Sequence, residues 1–230
     1  MSRLAELRTN IARIRDEIEE ASLAAGRDVH SIRLMAVSKT HPYEEMALLA
    51  EIGQLLFGEN RVQEAEGKLA PKEGRTMQVN LIGHLQSNKA RKAVSLFDRI
   101  DSVDSLRLAR RLASLAPAPY PILLEVNTSA EASKHGFDSE DDLFFALDEI
   151  ALMPNLIIQG LMTLGPLGGT ESAIRRSFSH LRSIFERVEQ RFCLEHFDEL
   201  SMGMSGDFRL AILEGSTCVR IGSAIFGERR

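Results

Sequence analysis

The chain has 230 residues, of which 44% are hydrophobic and 27% are charged, with no Trp and only two Cys. This composition is typical of a globular protein and excludes a disordered chain, a collagen and a disulfide scaffold. Lysine and arginine number 28 against 33 acidic residues, which gives a net charge of −5. A nucleic-acid partner is therefore not expected, because binding to nucleic acid depends on neutralising phosphates.

The sequence also predicts where the protein acts. No apolar run approaches the roughly 20 residues that a membrane span needs. The first 20 residues read as a charged helix rather than a secretion signal. We therefore expect no membrane contact and a cytoplasmic location. Cys193 and Cys218 lack CxxC or metal-ligand spacing, so we expect both to be reduced thiols.

Helical and strand patterns alternate along the chain. The apolar residues Leu4, Leu7, Ile11, Ile14 and Ile18 recur with helical spacing and predict an N-terminal helix within residues 1–26. Short apolar runs then predict eight strands at 32–38, 55–57, 79–82, 99–103, 121–127, 156–163, 200–202 and 217–222. Segments with helical periodicity lie between them at 44–52, 61–69, 85–96, 105–115, 139–152, 172–191 and 208–214.

Eight such units in one chain of this length favour a closed barrel, so we predict an α/β fold, a (β/α)8 TIM barrel with an extra N-terminal helix. No Pro/Gly/Ser-rich linker divides the sequence, and residues 1–230 are predicted to form one domain. The apolar stripe of the first helix either closes the barrel floor or meets another chain. Closing the floor is favoured, and a monomer is expected.

The first candidate for chemistry is Lys39, because the active sites of such barrels are built after the carboxyl ends of the strands. Val37 and Met35 alternate with it along the first strand, which places its amine beside an apolar wall. Loss of solvent favours the neutral amine that attacks an aldehyde to form a Schiff base. From position alone, a lysine that reaches out to solvent is the favoured alternative.

The last strand carries a second candidate, Arg220, among apolar neighbours, where a guanidinium needs a dedicated partner such as an internal carboxylate or a ligand. Gly222 and Ser223 follow it and resemble the phosphate cradle found at the top of strand eight, or else a helix cap. Ser201 and Ser205, after strand seven, either add hydroxyls to the same anion or belong to turns. Together with an amine, these residues describe a site for a phosphorylated aldehyde, and pyridoxal 5'-phosphate fits.

At this level of detail the chain closely resembles the pyridoxal phosphate homeostasis proteins, which are similar to the barrel domain of alanine racemase. The matching segments are residues 35–40, 57–60, 82–89, 126–127, 133–137, 160–163, 201–205 and 215–227. The resemblance implies that Lys39 holds pyridoxal 5'-phosphate as an aldimine and that Arg220 faces the pyridine nitrogen. It further implies that Ser201, Ser205, Gly222 and Ser223 hold the phosphate.

The same resemblance implies further contacts in the pocket from residues 84–89 and Asn60. Asn60 is also in a position to cap a helix. The tyrosine that racemases bring from a second domain is expected to be missing. Of the two tyrosines, Tyr120 precedes strand five, and Tyr43 either reaches the phosphate or begins a helix. No histidine shows a metal-ligand pattern, and no metal site is predicted.

The resemblance thus implies a carrier of the cofactor that supports vitamin B6 and amino-acid homeostasis, has no catalytic residue, and has cofactor-dependent apoenzymes as possible partners. Two alternatives stay open. One is a racemase-like enzyme in which His84 or Lys89 replaces the tyrosine. The other is a Schiff-base aldolase in which Arg220 binds a sugar phosphate.

Overall fold

The computed structural model describes residues 2–70, 72–129, 131 and 134–227. Its strands are β1 (Arg33–Val37), β2 (Leu56–Glu59), β3 (Gln78–Leu81), β4 (Arg99–Val103), β5 (Tyr120–Glu125), β6 (Leu156–Met162), β7 (Glu199–Met204) and β8 (Cys218–Ile221). They form one parallel sheet in sequential order, and β1 pairs with β8 to close it. The predicted (β/α)8 barrel is confirmed.

Helices surround the barrel. Among the described residues they are α1 (Arg3–Ala24), α2 (Tyr43–Glu51), α3 (Val62–Lys68), α4 (Ala90–Leu96), α5 (Leu106–Ala113), α6 (Glu140–Ile150), α7 (Glu171–Arg191), α8 (Phe208–Leu213) and α9 (Ser223–Phe226). Polar caps begin several of them: Ser139, for instance, accepts a hydrogen bond from the backbone of Asp142 at the start of α6. No described helix combines the length and apolar character needed to cross a bilayer.

The N-terminal helix α1 does not lie under the barrel. Its predicted stripe is buried, but it packs against α2, α8 and α9 on the outside of the barrel. In the described part of the chain β8 leads into the short helix α9, and α1 packs beside α9 in the helical ring. Asn10 and Arg3 donate to the carbonyls of Ile225 and Phe226 at 2.9 and 2.8 Å and fix α9 to α1. The prediction that α1 closes the floor is therefore wrong.

A buried ionic network closes the floor instead. Arg99, at the amino end of β4, donates from Nε to Asp101 Oδ1 at 2.7 Å and from Nη2 to Glu199 Oε1 at 2.5 Å. Arg33 of β1 also pairs with Glu199, at 2.9 Å. Above this network Met35, Leu56 and Cys218 fill the barrel interior. The opposite end, where the strands have their carboxyl termini, is left for polar side chains.

Candidate functional site

Lys39 lies at the mouth of the barrel, two residues beyond the end of β1. Met35 and Val37 are buried and precede it at alternate positions, as the sequence predicted. The side chain of Lys39 is half-buried. The amine is therefore carried on a short turn at the rim rather than on the strand itself.

Buried contacts from β2 and α3 fix this turn. Ser38 donates from its hydroxyl to Glu59 Oε1 at 2.5 Å, and Lys68 donates from Nζ to the carbonyls of Ser38 and His41, both at 2.8 Å. Thr40 has a positive φ of 66°, and its backbone N–H donates to the carboxylate of Glu64. A non-glycine residue in this conformation is strained and persists only where its surroundings hold it. The position of Lys39 is thus imposed by its neighbours.

Glu59 is the charged partner in this support. Its carboxyl is buried, and burial raises its pKa although the ammonium group of Lys68, 2.5 Å away, acts in the opposite direction. Its second oxygen, Oε2, is buried without a hydrogen-bond partner among the described residues. Neither Glu59 nor Lys68 was predicted as a site residue, because the contact joins a strand to the following helix and leaves no local pattern.

Asn60 follows β2, beside the turn that carries Lys39. Its side-chain Oδ1 is buried and has no hydrogen-bond partner among the described residues. The cap of α3 is Arg61, so the alternative that Asn60 caps a helix is wrong. Gly83 approaches so closely that a Cβ on it would lie 2.3 Å from the carbonyl oxygen of Asn60. Asn60 therefore presents an unused acceptor at the mouth, as a ligand pocket requires.

Arg220 is buried in β8, and its guanidinium reaches toward β7 and the end of β6. It donates from Nη1 to Ser201 Oγ and from Nη2 to the carbonyl of Thr163, both at 2.7 Å. No ion pair within the described part of the chain includes it, so the alternative of a directly paired internal carboxylate is wrong. Burial lowers the pKa of Arg220 from its usual value.

The predicted phosphate residues come from the adjacent ends of β7 and β8. Ser201 is buried in β7, Ser205 is half-buried just after that strand, and exposed Ser223 is the first residue of α9. Gly222 precedes α9 and lies against β1: a Cβ there would be 3.3 Å from the carbonyl oxygen of Val37. The first N–H groups of a helix have no partner within it, so bare backbone donors lie at this rim.

Glu125 is a titratable group of the barrel that the sequence did not single out. It ends β5, is 4% exposed, and burial together with the charge of Asp104 raises its pKa to about 7. The charge of Arg220 acts in the opposite direction. An acidic residue within an apolar strand was the available signal, but the strand pattern alone does not show which way the side chain faces.

The loop after β3 lies next to this centre. His84, Gln86 and Lys89 line a cleft of about 740 Å³ together with Asn60 and Glu64. Of the tyrosines, Tyr43 begins α2, as one alternative predicted. Tyr120 begins β5, and its hydroxyl donates to the carbonyl of Phe97 at 2.7 Å, at the opposite end of the barrel. The matching segment at 133–137 includes Ser133, which lies outside the described residues.

The residues fit pyridoxal 5'-phosphate. The lysine at the rim suits an aldehyde. Backbone N–H groups and serine hydroxyls at the ends of β7 and β8 suit a phosphate. The side-chain oxygen of Asn60, which has no partner among the described residues, suits a ring hydroxyl. Among the described residues, the guanidinium of Arg220 is hydrogen-bonded to Ser201 and Thr163 and forms no direct ion pair.

Comparison with known proteins agrees with this arrangement. Residues 3–230 match the family model described as "Alanine racemase, N-terminal domain". A protein of Vibrio cholerae serotype O1 named "Pyridoxal phosphate homeostasis protein" is 40% identical over 233 residues, which cover 98% of each chain. The structure of PipY from Synechococcus elongatus with PLP bound is 37% identical, with a TM-score of 0.79, and covers 92% of this chain and 100% of that one.

More distant structures share the fold alone. An alanine racemase of Clostridium difficile superimposes with a TM-score of 0.75 at 14% identity, over 97% of this chain and 57% of the racemase chain. The close relatives, by contrast, match along almost their whole length. On this basis the chain belongs to the family of pyridoxal phosphate homeostasis proteins.

Proposed function

We propose that this chain binds pyridoxal 5'-phosphate through Lys39 and holds it for homeostasis of the cofactor, without turning over a substrate. One observation carries the proposal: a lysine after β1 and the serine- and glycine-bearing ends of β7 and β8 meet at one rim of the barrel. The printed name of the Vibrio cholerae relative and the PLP-bound structure of PipY support it.

Each predicted residue has a role in this proposal. Lys39 supplies the amine that attaches the cofactor, while Gly222 and Ser223 offer backbone N–H groups to its phosphate. Ser201 accepts a hydrogen bond from Arg220 and keeps its own proton to donate, and Ser205 adds a second hydroxyl. When bound, the cofactor supplies an aldehyde carbon and an electron-withdrawing ring.

Arg220 is assigned to the pyridine nitrogen. A guanidinium stays protonated in proteins and has no acceptor, so it donates a hydrogen bond to that nitrogen and leaves it without a proton. A ring in that state withdraws electrons less than a protonated ring opposite a carboxylate. Asn60 supplies a further polar contact through its unpartnered Oδ1.

The proposal of no turnover is supported by the two tyrosines. Racemisation needs a second acid-base group opposite the lysine. Tyr120 is used at the other end of the barrel, and Tyr43 packs against the hydrophobic core. Tyr120 is therefore committed at the far end of the barrel.

A second candidate function is a racemase-like activity with His84 as the acid-base group. It is favoured by one observation: His84 Nδ1 lies 2.8 Å from Asp104 Oδ2, and a carboxylate in that position orients an imidazole. The aldolase alternative has no comparable support, since the relatives are named for pyridoxal phosphate.

One experiment separates these candidates. The purified protein is loaded with pyridoxal 5'-phosphate and incubated with amino acids in D₂O, while the visible absorption band and exchange of the α-hydrogen are followed. We expect a band that Lys39→Ala lacks and α-hydrogen exchange no faster than that of free cofactor. Exchange at enzyme-like rates that His84→Gln abolishes would replace the carrier by the racemase-like enzyme.

We further propose that residues 1–230 act as one domain, in the cytoplasm and as a monomer, and that cofactor-dependent apoenzymes are its partners. The eight strands form one barrel, which supports a single domain. The apolar stripe of α1 is buried within the chain, which supports the monomer because the stripe is not available to a second copy. Cys193 and Cys218 are both free thiols, as a reducing compartment favours.

A further inference from the structure

Three consecutive loops at the barrel mouth bring together His84, Asp104 and His135. They follow β3, β4 and β5, and one ligand atom of each lies within 4.8 Å of the others. The proposed attachment of the cofactor uses none of them. We propose that these three side chains bind a divalent transition-metal ion of the Zn²⁺ class.

The side chains are already in mutual contact. His84 Nδ1 is 2.8 Å from Asp104 Oδ2, and the rings of His84 and His135 stack with centroids 3.7 Å apart and planes 12° from parallel. Neutral imidazole is the form of histidine that binds a metal.

The distances suit a single ion. Each Zn–N or Zn–O bond is about 2.1 Å long, so two ligands of one ion lie no more than about 4.2 Å apart. The spacing of up to 4.8 Å is slightly above this limit, and the stacked rings must turn so that one nitrogen of each faces the same ion. His84 is 38% exposed, which leaves its ring free to make that rotation.

The donor set selects the class of metal. Two imidazoles and one carboxylate suit Zn²⁺, Ni²⁺ or Co²⁺, whereas Mg²⁺ and Ca²⁺ prefer oxygen ligands alone. The cluster borders a cleft of about 680 Å³ that is open to solvent, so a water completes the coordination. No local sequence pattern predicts this site, because its three ligands come from separate loops.

Such an ion would tie the loops of β3, β4 and β5 together at the mouth. His84 also lines the cleft that contains Asn60. The site is nevertheless distinct from Lys39, so the binding of metal can be measured on protein with or without cofactor.

The test is titration of chelator-stripped protein with ZnSO₄ by calorimetry, repeated with Co²⁺ to record its visible ligand-field bands. We expect one ion per chain and a fall in affinity of roughly tenfold or more in His135→Gln and in Asp104→Asn, since even indirect partners of a metal are worth about that much. His180→Gln is the matched control, because His180 contacts Glu140 at 3.0 Å on another surface.

The exposed thiol of Cys193 is the competing site, so Cys193→Ser is titrated in parallel. Unchanged binding in His135→Gln and Asp104→Asn, or loss of binding in Cys193→Ser or His180→Gln alone, would overturn the proposal. Absence of any stoichiometric binding would do the same. Circular dichroism and the visible band of the loaded cofactor establish that each variant is folded, whichever result is obtained.

Discussion

Replacing Arg99 by methionine is expected to lower the free energy of unfolding by about 3–5 kcal/mol, the range found when one partner of a buried ion pair is removed. Arg99 is 1% exposed and is held by Asp101 and Glu199. Methionine has a similar length but no charge, so both carboxylates would be left in the barrel floor. Urea unfolding at neutral pH measures the loss.

The neighbours of Arg99 explain the size of this effect. Asp101 is fully buried, and burial raises its pKa although Arg99 acts to lower it. Glu199 has its pKa lowered, since Arg99 and Arg33 outweigh its burial. Without Arg99, Asp101 would lose the two guanidinium hydrogen bonds that its carboxylate accepts, at 2.7 and 3.0 Å. The double variant Arg99→Met/Asp101→Asn should recover part of the lost free energy of unfolding, because the unpaired buried charge of Asp101 is removed.

Arg110→Met is the matched control. Arg110 pairs with Glu149 on the surface, where their side chains are 58% and 37% exposed. Exposed pairs contribute about 0–1 kcal/mol. Equal losses in the two arginine variants would contradict the view that the floor network is a buried ionic unit.

Glu125→Gln is expected to remove a pH-dependent loss of stability of about 3 kcal/mol in the cofactor-free protein. The pKa of Glu125 is raised to about 7 in the folded chain, from an ordinary value of 4.5. Between these two values the folded state binds more protons than the unfolded state. The free energy of unfolding therefore falls as the pH rises from about 4.5 to about 7, and it falls no further through this group at higher pH.

The measurement is the difference in unfolding free energy between Glu125→Gln and wild type at pH 4.5 and at pH 8. This difference should become more favourable to the variant by about 3 kcal/mol as the pH rises. Glu149→Gln, at an exposed position, should show no such trend. A flat difference for Glu125→Gln would mean that the carboxyl ionises as readily in the fold as in water.

The alternation of patterns was enough to predict the fold. The strand at 99–103 matches β4 at both ends, and the helix predicted within residues 1–26 corresponds to α1. The position of α1 could not be predicted, because an amphipathic stripe shows that a helix is covered but not which surface covers it. The segment at 85–96 was also incomplete as a prediction, since a 3₁₀ turn at Ser87–Lys89 precedes α4.

The site was predictable where a residue was unusual in its own strand. Arg220 stood out as a charge among apolar residues, and Lys39 as an amine at a strand end. Lys68 and His135 did not stand out, because each becomes part of the site only when separate loops and helices meet. Local patterns carry no information on such contacts, which arise from the closure of the barrel.

The central claim is that Lys39 is the residue that attaches pyridoxal 5'-phosphate. The most direct measurement is borohydride reduction of the loaded protein, followed by digestion and mass spectrometry of the peptides. We expect one phosphopyridoxyl adduct per chain, on Lys39. An adduct on Lys68 or Lys134, or none after reduction, would contradict it.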